Sequence, residues 1–185
     1  MKRSIAKALS CIYLLTRKIR RLVATRRDPV AYAKSLGVRV GRNVRIIGMD
    51  DRTFGSEPYL IEIGDHVTIT GQVQFVTHDG GVWVFREREP DIEVMKPIVV
   101  GNNVFIGLRT IILPGVTIGS DVVIGAGSIV TNDIPAGSVA VGSPARVVSR
   151  IENYRKRLEP NVLRRTWSNA EDKKRSLLIH FFPES

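Results

Sequence analysis

The chain has 185 residues, of which 43% are hydrophobic, 6% aromatic and 25% charged, with a formal net charge of +10. That hydrophobic share excludes a disordered chain, and scarce aromatics beside abundant Gly, Val and Ile favour β-structure with tight turns over a helical bundle. The charge is segregated: residues 1–27 carry nine Lys/Arg and no acid, residues 146–185 carry ten basic and five acidic groups, and the stretch between them is mildly acidic. The folded centre therefore lacks the basic stripe of a nucleic-acid-binding domain, and no nucleic-acid partner is expected.

In chain order, residues 4–25 read as a basic amphipathic helix. Ile5, Leu9, Ile12, Leu15, Ile19 and Leu22 recur at spacings of three and four, with basic residues clustered around them. Such a helix either packs its apolar stripe on the domain or on another subunit, or lies on an anionic membrane surface. The N-terminus resembles a signal peptide only faintly, because Lys7 interrupts the apolar stretch and no cleavage site follows; it is expected to be retained. No run of 18 apolar residues occurs, so no spanning helix is predicted. Cys11 is the one cysteine, which excludes an intrachain disulfide and is compatible with a reducing compartment. The expected location is cytoplasmic, at the inner membrane face if the helix is interfacial. Asp28-Pro29 breaks the helix, and a short second one around Val30–Leu36 ends at Gly37. Residues 1–37 thus form an N-terminal segment.

From Val38 the pattern changes to short apolar beats. Cut every six residues from Val100, the chain reads VGNNVF, IGLRTI, ILPGVT, IGSDVV, IGAGSI, VTNDIP. The first position is always Val or Ile, the second is Gly in four of the six, and the fifth is small or β-branched. A second run in its own frame, IGDHVT, ITGQVQ, FVTHDG, starts at Ile63, and a weaker one starts at Val40. A period of six describes a short strand followed by a turn, and three units make an 18-residue coil with three flat faces. First-position aliphatics should then point inward and stack on the residue one coil later, Val100 on Ile118 and Ile112 on Val130. Gly at the second position permits either φ > 0 or a crowded corner. Coils bury their stripes only against one another, so a solenoid needs several coils and a cap at each end.

The two frames do not join, since Ile63 and Val100 are 37 residues apart. Residues 81–97 are therefore a loop insertion in a domain running from 38 to 145, and a loop of that length is usually functional. A shorter departure covers residues 51–60. After Pro144 the repeat ends; Arg146–Leu158 reads as a capping helix within a C-terminal segment 146–185.

Residues Pro97 to Val148, together with FVTHDGG at 75–81, resemble the hexapeptide-repeat acetyltransferases, in particular the maltose/galactoside acetyltransferase-like and polysaccharide O-acetyltransferase branch. The resemblance covers about half the chain, and its C-terminal motif is the more specific part. It implies an all-β fold, a left-handed parallel β-helix, and a homotrimer with active sites between subunits. It also implies acetyl-CoA as co-substrate and a carbohydrate hydroxyl as acceptor, in surface polysaccharide or lipopolysaccharide biosynthesis.

Acetyl transfer to a hydroxyl needs a base, and histidine suits that task near neutral pH. Of three histidines, His66 sits at a solvent-facing repeat position and His180 lies in the tail, whereas His78 lies where the coil gives way to the insertion and matches the family's catalytic histidine. Asp79 either orients that imidazole, contacts the acceptor, or serves as turn chemistry with Gly80. Trp83 and Phe85 stack on a sugar ring or on a neighbouring subunit. Glu57 and Tyr59, in the shorter departure, are further acceptor candidates, and Asn103 matches a position that touches the acceptor in sugar-modifying relatives. For coenzyme A the resemblance implies contacts at Leu108, Ala126, Thr131 and Arg146; small residues such as Gly125 and Ala126 admit the pantetheine arm, and Arg150 assists Arg146 at a phosphate. Phe105 replaces a tryptophan common in the family, and Asn132 stands where a lysine is frequent. A backbone N–H near a coil corner should stabilise the oxyanion.

Rival readings use the same solenoid. A zinc enzyme of the γ-carbonic-anhydrase type needs three histidines on adjacent coils, which this chain lacks, so no metal is predicted. A non-catalytic assembly module would bind no coenzyme A. An amino group on a nucleotide-linked sugar would make the enzyme an N-acetyltransferase; serine, or an acyl donor on a carrier protein, would change one substrate.

Overall fold

The computed structural model describes Val23, Thr25, Arg27 and residues 28–183. The expected helix over 4–25 and its membrane contact lie, apart from Val23 and Thr25, outside the described residues. Residues up to Tyr154 form one compact unit and those from Arg155 a second.

The first unit is a parallel β-solenoid. Its first sheet stacks β1 (Arg39–Val40), β3 (Ile61–Ile63), β6 (Ile98–Val100) and β9 (Thr117–Ile118). The second stacks β2 (Arg45–Ile46), β4 (Val67–Ile69), β7 (Val104–Ile106) and β10 (Val122–Ile124); the third stacks β5 (Gln74–Phe75), β8 (Ile111–Ile112) and β11 (Ile129–Val130). Every pairing among these strands is parallel. The expected stacking is present: Val100 pairs with Ile118 and Ile112 with Val130, all buried. Fifth-position residues complete the core, with Val104, Thr110, Val116, Val122, Ser128 and Ile134 all buried. Ile63 pairs directly with Val100, so the 37-residue step is one coil plus the insertion.

The glycines act by crowding. A Cβ on Gly107 would lie 2.5 Å from the Ala126 backbone nitrogen, and one on Gly119 would lie 2.5 Å from that of Ala136. Positive φ falls instead on the fourth position of the repeat, at Asn103, Arg109, Gly115, Asp121 and Gly127. The corner between the first and second sheets is tied by a polar ladder. The Asp65 carboxylate accepts from the Arg42 N–H at 2.7 Å, the Asn102 side-chain oxygen accepts from the Asp65 N–H at 2.7 Å, and Ser120 Oγ accepts from the Asn102 N–H at 3.0 Å. Each coil thereby satisfies a backbone donor of the coil before it, one that would otherwise be unpaired at a turn.

Both ends are closed. α1 (Pro29–Ser35) begins at Asp28, whose side chain accepts from the Ala31 N–H, and ends before Gly37 at φ 100°; Ala33 is fully buried, and Val30 and Leu36 pack on the core. So Asp28-Pro29 starts a helix as N-cap and first-turn proline. At the other end β12 (Ser138–Gly142) extends the second sheet in parallel, and β13 (Ala145–Arg150) returns antiparallel to it. This corrects the expected helix from Arg146. The β-branched pair Val147-Val148 continues an extended strand on the edge of β12, and α2 (Ile151–Leu158) begins only at Ile151.

In the second unit, α3 (Ala170–Phe181) is capped by Asn169, whose side chain accepts from the Asp172 N–H. Lys173 Nζ lies 5.5 Å from the Trp167 ring centre. No described helix is long and apolar enough to cross a membrane.

Candidate active site

In the second coil the third sheet ends at Phe75, and the chain reaches His78 before leaving the solenoid. In the first coil the third side is not a strand but the loop 50–57. Phe54 is buried in it, with its ring centre 5.4 Å from that of Phe75, and the Phe75 N–H donates to the Thr53 carbonyl at 2.8 Å. The loop therefore lies on the strand that leads to His78 and delivers its end, Ser56-Glu57, to the imidazole.

Glu57 is buried, and its Oε2 lies 3.0 Å from His78 Nδ1 and accepts from Thr77 Oγ1 at 2.8 Å. Ser56 Oγ is 3.3 Å from the same ring nitrogen. Burial pushes the Glu57 carboxyl upward, but hydrogen bonds from Thr77, Ser56 and His78, with the field of His78, outweigh it and hold the group below its ordinary value. The side chain is consequently a carboxylate at neutral pH. A carboxylate at Nδ1 is best met by an Nδ1–H, which makes Nε2 the acceptor nitrogen of a neutral ring. The His78 side chain is 42% exposed.

The insertion begins at the site. Asp79 accepts from the Gly81 N–H at 2.8 Å and caps a short 3-10 turn over Gly80–Phe85, so its carboxylate serves the turn and makes no contact with the imidazole. Trp83 and Phe85 are exposed, and the Arg86 guanidinium lies 5.9 Å from the Trp83 ring centre. The loop closes through an antiparallel bridge between His78 and Met95. Tyr59 is exposed, with its Cβ against Gly37 at the end of α1.

The remaining candidates lie on other edges of the prism. Asn103 sits at the corner between the first and second sheets, in a chain from His66 Nδ1 at 2.9 Å to Asp121 Oδ1 at 2.6 Å. Leu108, Gly125 and Ala126 share the corner between the second and third sheets, where the Gly127 N–H donates to the Leu108 carbonyl. Thr131 lies on the edge of His78, two coils further on, or about 10 Å at the usual strand spacing. Arg146 and Arg150 are exposed on β13. Within one chain, then, His78 and Glu57 meet, whereas Asn103 and the second-corner residues do not reach them.

Ser56 and Thr77 were absent from the sequence-level site. The offset between the first two coils, 23 residues between Ile46 and Ile69, carries loop 50–57 onto residues 73–80, the stretch that holds Thr77 and His78, and is the signal that points to them.

Residues 97–132 match the family described as hexapeptide repeat of succinyl-transferase. The chain is 51% identical to protein CapG of Staphylococcus aureus over 148 residues, covering 80% of this chain and 86% of CapG. The chain belongs to the hexapeptide-repeat acetyltransferase family. Among its relatives is the galactoside O-acetyltransferase of Escherichia coli, 40% identical over 130 residues and covering 68% of this chain but 60% of that protein. A solved galactoside acetyltransferase in complex with coenzyme A matches at 35% identity and a TM-score of 0.51, covering 72% of this chain and 63% of that one. A hexapeptide-repeat acetyltransferase of Vibrio cholerae complexed with acetyl-coenzyme A matches at 32% identity and a TM-score of 0.50, covering 62% and 61%.

Proposed function

We propose that the protein is an acetyl-CoA-dependent O-acetyltransferase acting on a sugar hydroxyl in capsule or related surface-polysaccharide synthesis. The observation that carries this reading is the Glu57–His78 pair, with Nδ1 held by the carboxylate on a side chain that is partly exposed. Likeness to the galactoside O-acetyltransferase supports the substrate class.

Bound acetyl-CoA supplies an activated acyl group. The residues at the second corner fit its narrow arm: a Cβ on Gly127 would meet nothing within 4 Å, and Ala126 is small and exposed, so a ligand can approach bare backbone there. Leu108 and Gly125 complete that surface, Thr131 contacts the cofactor from the edge of His78, and Arg146 with Arg150 offers cations to the phosphates. His78 Nε2 takes the proton of the acceptor hydroxyl as its oxygen bonds to the acyl carbon, and returns the proton to the departing sulfur. Glu57 holds the tautomer and meets the positive charge that forms on the ring. A backbone N–H near the coil corner stabilises the charge developing on the acyl oxygen, an effect of about 3 kcal/mol. Trp83 stacks on the sugar, with Asp79, Tyr59 and Asn103 as further acceptor contacts. Because Asn103 and the second-corner residues lie on different edges from His78, the complete site is assembled between subunits of a homotrimer with the left-handed coil of its family. Contact with anionic membrane through residues 1–27 would hold the enzyme beside lipid-linked acceptors on the cytoplasmic side.

The test is calorimetric titration with acetyl-CoA, followed by thiol release in the presence of sugar acceptors. Saturable binding, weakened by Arg146→Ala, and acceptor-dependent thiol release are expected; absence of binding in a folded protein would discard the reading.

Glu57→Gln should lower turnover roughly tenfold or more while leaving the KM for acetyl-CoA unchanged, because the group positions the base and touches neither substrate's bulk. Its depressed folded-state pKa adds stability that is fully present above the unfolded carboxyl value near about 4.3 and is lost as pH falls through the folded one. The difference in Tm between wild type and Glu57→Gln should accordingly be constant above about pH 6 and shrink in acid. An unchanged kcat would remove Glu57 from its positioning role.

A further inference from the structure

A cleft of about 230 Å³ opens on the third side of the solenoid, toward the corner between the second and third sheets, lined by Asp50, Arg52, Gln72, Gln74, Arg109 and Ile111. Its walls are the two segments that build the catalytic pair. Arg52 is on the loop that ends at Glu57, and Gln72 and Gln74 lead along β5 into His78. The cleft holds two guanidinium groups, and neither has a carboxylate partner among the described residues. Arg109 is fixed through Nε, which donates to Gln72 Oε1 at 2.8 Å, and its terminal nitrogens remain as donors. Arg109 also adopts a positive φ of 60°, a conformation unfavourable to a long side chain and one that fixes where this side chain leaves the corner. Asp50 lines the same cleft, its Oδ1 accepting from the Arg52 N–H at 2.9 Å and from Thr53 Oγ1 at 3.2 Å, so one carboxylate stands with the two guanidinium groups.

Two guanidinium groups against one carboxylate, with two amide side chains, form a surface of net positive charge for a phosphate oxyanion, which arginine meets in bidentate fashion. Three residues lie between Gln74 and His78, so the backbone at Gln74, the lining residue nearest the base along the chain, is at most about 14 Å from that of His78. An acceptor engaged at His78 and in this cleft at once would extend along β5, with its diphosphate at the end of the third side away from the base. The cofactor's phosphates are assigned to Arg146 and Arg150, on β13 at the far end of the solenoid, whereas this cleft belongs to the first three coils.

We propose that the Arg52–Arg109 cleft binds the diphosphate of an activated sugar, so that the acceptor is a sugar carrying a diphosphate ester; this rests on the O-acetyltransferase reading for its meaning but not for its test. The full-length protein, saturated with coenzyme A, is titrated calorimetrically with inorganic pyrophosphate, UDP and geranyl diphosphate. Saturable binding of pyrophosphate, weakened about tenfold by Arg52→Gln and by Arg109→Gln and unchanged by Arg146→Ala, is expected. Tighter binding of UDP identifies a nucleotide-linked acceptor, and tighter binding of geranyl diphosphate a lipid-linked one; either supports the proposal. Competition with coenzyme A, or loss of binding in Arg146→Ala, would assign the anion to the cofactor and overturn it, as would binding that ignores Arg52 and Arg109. The titration needs no turnover. An enzyme that binds pyrophosphate here yet acetylates no sugar therefore refutes the catalytic reading alone.

Discussion

His78→Ala is expected to lower turnover by about 100-fold or more, the usual contribution of a positioned general base, with acetyl-CoA affinity retained. The size follows from the geometry at the ring. Glu57 is buried and already engaged by Thr77, so the imidazole is held through Nδ1 by a group that is itself held. Removing the ring deletes the proton acceptor and leaves Glu57 buried beside a void that water can enter. Single-turnover thiol release measures the loss, and calorimetry with acetyl-CoA checks that binding is spared. Activity near the wild-type level would take the base away from His78 and return it to solvent or to the acceptor itself.

Ile106→Ala should destabilise the protein by about 2–5 kcal/mol. Ile106 is fully buried in β7, between Ile69 of β4 and Ile124 of β10, both also fully buried. The Thr70 and Gly107 backbone donors bind the Ile106 and Ile124 carbonyls on either side, so the coils cannot close over the missing methylenes without losing those bonds. Urea unfolding should show a lower midpoint, and a loss under about 1 kcal/mol would mean that the stack repacks.

The solenoid was legible because its period is imposed by geometry: one aliphatic per side must face the axis, and the two frames were separated by a countable offset. The strand at Arg146–Arg150 was not, since a short basic stretch after Pro144 offers no periodicity to distinguish a returning edge strand from a helix. The glycines were half legible. Composition marked them as special, but only the closeness of the next coil shows that space, and not φ, excludes a side chain at Gly107 and Gly119. The assignment of the base to His78 comes from motif resemblance and stands as a proposal. Glu57 was recognised as part of the site but given to the acceptor, because its bond to His78 crosses from one coil to the next and is invisible until the loop 50–57 is laid on β5. Asp79, adjacent to His78 in sequence, was the more obvious partner and turned out to serve its own turn.

The corner ladder of Arg42, Asp65, Asn102 and Ser120 has a consequence for how such a protein can vary. Every rung joins neighbouring coils at one edge, and an added residue there would unhook a donor on each side. Both departures from the repeat, the loop 50–57 and the segment 79–96, are carried instead by the third side and the corner that follows it. That edge is where Glu57, His78 and Trp83 stand. The prism thus keeps its count where the ladder runs and leaves the third side free to lengthen, so loops can be rewritten there while the coils beneath stay in step.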